Sequence, residues 1–438
     1  MVKKSSFLII LFFLLNCVIL YAQAEDQVPA DKPKFDFTMN LTIGLSSYED
    51  ITQNQVAFQK LGIFPGFAYG RWGLGFDLSL EFDADFHLRD LDHDGRPDGW
   101  TTLHDYLTKI YYLQYGVKGD PLYGRIGTFN GYTLGHGLVM NNFSNTLFYP
   151  QIIQLGLNLD ADGRLIGFPY VGFESLVDDV LDWDIIAARL YARPFLDAQN
   201  PIFKGFELGA TIVTDGDTLE LPTEVPEDNP ASERVAEFGI DVEVPLLEKE
   251  GMSLVAYADW AKIVERGSGG FVGGAFTYQW LNLFGQIRFL GEEFVPAYFD
   301  SFYERDRGAP PTVKYASLDA YTEFYMGYMI GTELSLFKVL KFSFQWEDGL
   351  HDVEGPRVLT GIQTAEGALP KFIASLVYEK KDIDGIDDFF SEGDSLLRLT
   401  AGYKISPVTK ILFVYERTYS PYTRDPADRA FVDTQFSF

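Results

Sequence analysis

Carboxylates at alternate positions are the first residues here whose spacing suggests chemistry. The stretch RDLDHDGRPDG sets Asp90, Asp92, Asp94 and Asp98 in the order D-x-D-x-D-G-x-x-D, with Gly95 where the loop must turn sharply. Hard cations take oxygen ligands, and a glycine lets alternate side chains converge, so this spacing points to a Ca2+ loop. The twelfth position is Thr101 rather than Glu, so it is not an EF-hand proper. A solvated acidic loop is the plainer alternative. DIDGIDD, residues 382 to 388, is a looser version of the same pattern.

Acid–base or nucleophilic chemistry would need a histidine beside a serine or carboxylate. The candidates are His87, His93, His104, His136 and His351, with Ser144 near His136 and with Asp83 and Asp85 ahead of His87. None belongs to a nucleophile motif, and a triad is defined by geometry rather than order. The expectation is a protein that is not an enzyme and requires no cofactor, with Ca2+ in an outer loop as the one exception.

The totals narrow the class. The 438 residues carry a net charge of −28, with 47% hydrophobic and 16% aromatic residues. Acidity of this size argues against nucleic acid as a partner, and the hydrophobic share argues against disorder. Residues 1–24 read as a cleaved signal peptide: Lys3 and Lys4, an apolar run from Phe7, then Ala22-Gln23-Ala24. The sole cysteine, Cys17, lies inside it, which leaves the exported chain without disulfides or cysteine metal sites. Residues 25–33 read as a short periplasmic lead and 34–438 as one domain.

A single pattern fills that domain. In FDLSLEFDADFH, Phe76, Leu78, Leu80, Phe82, Ala84 and Phe86 alternate with Asp77, Ser79, Glu81, Asp83, Asp85 and His87. Successive strand side chains point to opposite faces, so one face is apolar and the other charged. The runs from Phe35, Phe206, Phe238, Met252, Leu340 and Leu397 repeat this two-facedness. Tight turns such as YGRWG, DADGR, LEKEG and ISPVT take turns with long segments such as HLRDLDHDGRPDGWTT and GEEFVPAYFDSFYERDRGAPP. That rhythm is the plan of an all-β, antiparallel, up-and-down transmembrane barrel of about 18 strands (about 16–20), with short periplasmic turns and long extracellular loops. Closure removes unpaired strand edges from hydrocarbon, where each unmet backbone group costs several kcal/mol. An exported soluble β-sandwich shares the alternation but not the turn rhythm.

Inward parity assigns Asp77, Glu81, Asp83, Asp85, Arg125, Arg189, Arg193, Arg288, Lys341, Glu347, Arg398 and Lys404 to the pore lining. Opposed rows of charge across a bore make a transverse field. The acidic row on the third strand suggests an acidic aqueous lumen favouring cations. The glycines at 131, 135 and 137 in NGYTLGHGLVMNNFSN suggest a constriction or an inward-folded segment.

The segment KIYYLQYGVKGDPLYGRIGTFNGYTLGHGLVMNNFSNTLFYP, residues 109 to 150, resembles a block in a poorly characterised group of porin-like outer-membrane proteins. DIIAARLYARPF and LLRLTAGYKISPVTKILFVYERTY add to the likeness, and the final alternating strand ending in Phe438 resembles a barrel insertion signal. The resemblance implies an integral barrel in the outer membrane of a diderm bacterium. It implies outer-membrane lipid, lipopolysaccharide, the barrel assembly machinery and small solutes as partners. It names no substrate and leaves a homo-oligomer open. The expected function is passive diffusion of small polar or charged solutes. The alternatives are a channel for hydrophobic substrates of the fatty-acid type and a non-conducting surface or adhesin barrel.

Overall fold

The sequence alternation becomes strand wherever backbone partners lie on both sides. The computed structural model describes residues 35–437, apart from 53, 92, 219–233, 309–313, 366, 407 and 422. The expected signal segment, the lead 25–33, Asp92 and Phe438 lie outside the described residues. The strands β1 (Phe35–Glu49), β2 (Gln55–Tyr69), β3 (Trp72–Phe76), β4 (Leu80–Phe82), β5 (Ile110–Tyr115) and β6 (Leu122–Gly127) open the sheet. Next come β7 (Gly156–Asp162), β8 (Val171–Val177), β9 (Ile185–Ala192), β10 (Glu207–Asp215) and β11 (Val235–Lys249). Then follow β12 (Met252–Ile263), β13 (Ser268–Tyr278), β14 (Leu281–Leu290), β15 (Tyr325–Leu336) and β16 (Leu340–Asp348). The sheet ends with β17 (Arg357–Thr364), β18 (Phe372–Lys380), β19 (Ser395–Ser406), β20 (Thr409–Tyr419) and β21 (Pro426–Ser437).

All 21 strands form one antiparallel sheet, and β21 pairs with β1 over Asn40↔Ser437 to Leu45↔Val432, which closes it. Strands β3 and β4 both pair with β2 and follow one another along it, so the barrel has 20 strand positions. The expected count of about 18 falls short because the loop-rich stretches hid short strands such as β5 and β6, only 6 residues each. Connections alternate as expected. Turns such as Gly70–Arg71, Glu250–Gly251 and Gln279–Trp280 occupy one end, while the other carries residues 83–109, 128–155 and 291–324. These are called the turn end and the loop end below.

Parity fixes the two faces. On β1, Ile43 and Leu45 are 59% and 60% exposed, whereas Thr42 and Ser46 are buried. The same outward apolar face continues through Leu190, Leu208, Ile212, Ile240, Val272, Ile287, Ile330 and Phe413. Aromatic side chains gather near the turn end: Tyr69, Trp72, Phe168, Phe203, Tyr278, Trp280 and Phe337 are all exposed.

The apolar core lies where an empty barrel would hold water. Two loop-end segments fold into the barrel. The described residues of 128–150 and 291–324 meet through a parallel bridge between Met140 and Phe299, and through Ala297 N–H to Leu138 C=O (2.6 Å) and Phe299 N–H to Val139 C=O (3.2 Å). Tyr132, Leu138, Met140 and Phe143 then pack with Phe294, Tyr298, Phe299 and Tyr303 against inward Leu176, Ile185, Val213, Ile263 and Leu290. The glycine-rich infold expected from sequence is present. The segment GEEFVPAYFDSFYERDRGAPP, expected as an extracellular loop, is instead an internal strap over its described residues. Burying Phe294, Tyr298, Phe299, Phe302 and Tyr303, which an outside loop would leave in water, is the physical reason.

Candidate functional site

The strap fills the lumen beside β7–β15 and leaves it open elsewhere. A cavity of about 980 Å³ runs along β1–β3, β5 and β16–β21. Its lining starts near the turn end with Thr38, Lys410 and Gln435 and reaches Tyr48, Thr418 and Arg417 near the loop end. One wall is the infold, which presents Thr128, Asn130, Asn142, Ser144, Thr146 and Tyr149. The facing wall is ionic, with Lys60, Glu379, Arg398, Lys410, Glu416, Arg429 and Asp433.

Each wall is held locally. On the infold, Asn130 Oδ1 accepts from the hydroxyls of Ser144 and Thr146. Tyr149 Oη donates to Asp77 Oδ2 at 2.9 Å, and Asn142 Nδ2 donates to Glu379 Oε2 at 3.2 Å, which ties the infold to β18. On the ionic wall, Glu416 accepts from two guanidinium groups, Arg398 (3.1 Å) and Arg429. Lys60 lies 5.6 Å from the centre of the Phe431 ring. Arg357 joins strap and wall, reaching Asp300 (3.0 Å), Ser301 Oγ (2.9 Å) and Glu379. At the strap's far end Asp306 bonds Arg305 (2.6 Å) and Lys381 (2.5 Å). Burial pushes the Asp306 carboxyl up, but Lys381 and Arg305 outweigh it and hold it well below the usual carboxylate range.

The residues expected in the lining separate into groups. Asp77 and Arg398 line the cavity. Glu81 lines an adjoining pocket of about 70 Å³, buried against Arg89 (2.6 Å), Tyr48 (2.6 Å) and Ser46 (2.8 Å). Arg125 stacks over Tyr112 and donates to Gln114 at 3.0 Å. Lys341 and Lys404 share the inward parity of Ser343 and Thr400, at the turn end. Arg189, Arg193 and Arg288 also face inward, but on the filled side and in ion pairs, and Glu347 on β16 faces inward to meet Arg288. Arg189 meets Asp241 (2.6 Å) and Glu207 (2.9 Å), Arg193 meets Asp162, and Arg288 meets Glu347 (2.8 Å). Asp83 and Asp85 are a correction. The strand ends at Phe82, and Asp83 Oδ1 accepts from the N–H of Asp85 and His87 (2.9 and 2.8 Å), so both sit in a loop-end turn.

Sequence reasoning missed Lys60, Lys410, Glu416, Arg429 and Asp433. The signal was there: Lys410, Glu416 and Thr418 share one parity of TKILFVYERTY, as do Arg429, Phe431 and Asp433 in the last strand. With them counted, the cavity lining carries four acids (Asp77, Glu379, Glu416, Asp433) and five bases (Lys60, Arg398, Lys410, Arg417, Arg429). This open side of the lumen is of mixed sign and not acidic as expected. The acidic row dissolves because Glu81 is consumed by Arg89 and the next two aspartates leave the strand.

In the loop expected to hold Ca2+, the described carboxylates bond mainly within the loop, and Asp90 Oδ1 is buried without a hydrogen-bond partner among the described residues. Asp90 Oδ2 accepts from Gly95 N–H (2.9 Å), Asp94 Oδ1 from Arg96 N–H (2.7 Å), and Asp98 holds Arg89 Nε (3.2 Å). Among the described residues no group of three or more potential ligands converges on a cation site. Of the histidine candidates, His87 Nδ1 lies 3.4 Å from Asp83 Oδ2 in an exposed turn. His136 packs on Tyr257 with ring centres 4.4 Å apart, whereas Ser144 bonds Asn130 and Thr146.

No family model matches the chain, and no curated protein matches it. Solved structures similar in shape are Pseudomonas aeruginosa OpdL (9% identity, 92% of this chain and 99% of that one, TM-score 0.36) and the outer membrane protein OprD of the same species (8%, 94% and 95%, 0.34). Another is P. aeruginosa OpdK with vanillate (9%, 92% and 98%, 0.39). Overlap at this level carries no conclusion about what this chain does. The description that stands on the chain's own geometry is a closed antiparallel β-barrel whose lumen is half filled and half open.

Proposed function

We propose that the protein is a porin-like channel of a bacterial outer membrane, passing small polar and charged solutes by diffusion. The observation that carries this is the pairing of two surfaces in one closed sheet: an exposed apolar exterior and a cavity whose lining sets charged and polar side chains among apolar ones such as Phe64, Leu412 and Phe431. An apolar surface of that extent needs hydrocarbon around it. The exposed aromatics at the turn end suit the boundary between lipid chains and water, where amphipathic rings settle.

Selectivity in this reading comes from charge across the bore. Lys341, Lys404 and Lys410 stand inward on β16, β19 and β20. Glu174, Glu207 and Glu243 stand inward on β8, β10 and β11, opposite them in strand order. Such a transverse field orients dipolar solutes. The hydrophobic-substrate alternative has Phe64, Phe76 and Phe431 in its favour, but Arg398, Glu416 and Arg429 interrupt any greasy path.

The purified protein in a planar bilayer should give discrete conductance steps. A barrel that inserts and stays silent would remove the channel reading and leave the non-conducting surface barrel. Liposome swelling with neutral and charged sugars of equal size then reads selectivity. Arg398→Glu should shift ion preference towards cations.

A further inference from the structure

The net charge of this chain is not spread along the barrel axis. Among described residues, the segments joining strands at the loop end hold 29 carboxylates against 10 basic side chains. At the turn end the connections hold 3 carboxylates against 7 basic side chains. Just inside that end, Lys404 and Lys410 face one another across β19 and β20, and Lys341 shares their inward parity on β16, while Glu207 and Glu243 stand inward on the filled side opposite. No carboxylate lies within ion-pair distance of these three lysines among the described residues. Elsewhere on the open wall the guanidinium groups are partnered, Arg398 and Arg429 by Glu416 and Arg417 by Asp428, while Lys60 lies over the Phe431 ring.

We propose that this axial arrangement makes the channel a rectifier whose loop-end mouth collects cations and whose turn-end mouth collects anions. This inference rests on the channel reading above. Fixed charge in a low-dielectric vestibule raises the local concentration of the opposite mobile ion. The field at each mouth persists over a Debye length, about 10 Å at 0.1 M salt and about 3 Å at 1 M. When the loop side is positive, cations waiting at the acidic mouth and anions waiting by the lysines are both driven inward, and the bore fills with carriers. When the loop side is negative both are drawn out, and the bore empties. Lys341, Lys404 and Lys410 are therefore specificity-determining residues for direction. A cationic solute arriving from the loop side is concentrated before it enters.

The test is a current–voltage curve from inserted channels of known orientation. Orientation comes from D387C in a chain carrying C17S, modified by a membrane-impermeant thiol reagent from one side only; Asp387 is exposed in a loop-end segment. The expected result at about 0.1 M salt is roughly twofold more current with the loop side positive, flattening at about 1 M. The triple variant K341Q, K404Q, K410Q should shrink that ratio in the channels that open. Steps with a linear curve at low salt, or with the opposite polarity, overturn the inference and leave the channel reading standing. Absence of steps overturns both.

Discussion

At the scale of single residues, much of the lumen is built from charges that already have partners. Glu81 and Arg89 show what this costs. Their side chains are 7% and 12% exposed, and Glu81 also takes hydroxyl donors from Tyr48 and Ser46. Removing one member of a buried pair leaves the other charge unmet, which destabilises by about 3–5 kcal/mol. Arg89→Ala should lower stability by that much in reversible denaturant unfolding in detergent, and Glu81→Gln with Arg89→Met should recover much of it. A loss under about 1 kcal/mol for Arg89→Ala would mean Glu81 is hydrated or protonated. The same pair explains why an alternating carboxylate row does not make an acidic bore. A one-dimensional pattern reports which way a side chain points, not which distant guanidinium will meet it.

At the scale of elements, the strap is the feature that sets the shape of the lumen. Phe299 has no exposure and packs on Tyr298 and Tyr303 with ring centres 5.2 and 4.6 Å away. Phe299→Ala should cost about 3–5 kcal/mol and should widen the conductance distribution, read as noisier open-channel current. Its anchor Asp306 adds a pH dependence. The carboxyl is held below its ordinary value when folded, so its contribution is complete above the unfolded carboxylate pKa of about 3.9. The contribution is lost as pH falls through the folded value. Protease resistance of the strap should therefore hold at neutral pH and fall in strong acid, and Asp306→Asn should be weaker at neutral pH. The barrel strands were legible in the sequence because parity is local: Ile43, Leu45, Ile240 and Ile330 announce their face through their immediate neighbours. The infold at 128–150 was legible through its glycines. The strap was not, because its meeting with Leu138 and Val139 spans more than 150 residues of sequence. Its one local clue was aromatic density, Phe294, Tyr298, Phe299, Phe302 and Tyr303 within a stretch otherwise rich in acids and proline.

At the scale of the whole molecule, the exterior and the bore make opposite demands on one sheet. Ile330 sits mid-strand on β15 and is 53% exposed, whereas its neighbour Met329 is buried inward. Ile330→Arg should cost about 2–4 kcal/mol in folding into lipid vesicles if that position lies near the midplane. Unchanged folding would place β15 against protein or water and undercut the membrane reading. The last six register pairs, from Leu45↔Val432 to Asn40↔Ser437, also bear on how such a molecule is made. They join β1 to β21, so the sheet stays open until β21 has arrived. A chain halted earlier would present two raw strand edges to acyl chains, at several kcal/mol for each unmet amide or carbonyl. Assembly is thus a single terminal event, and the cell must keep every earlier strand from settling alone.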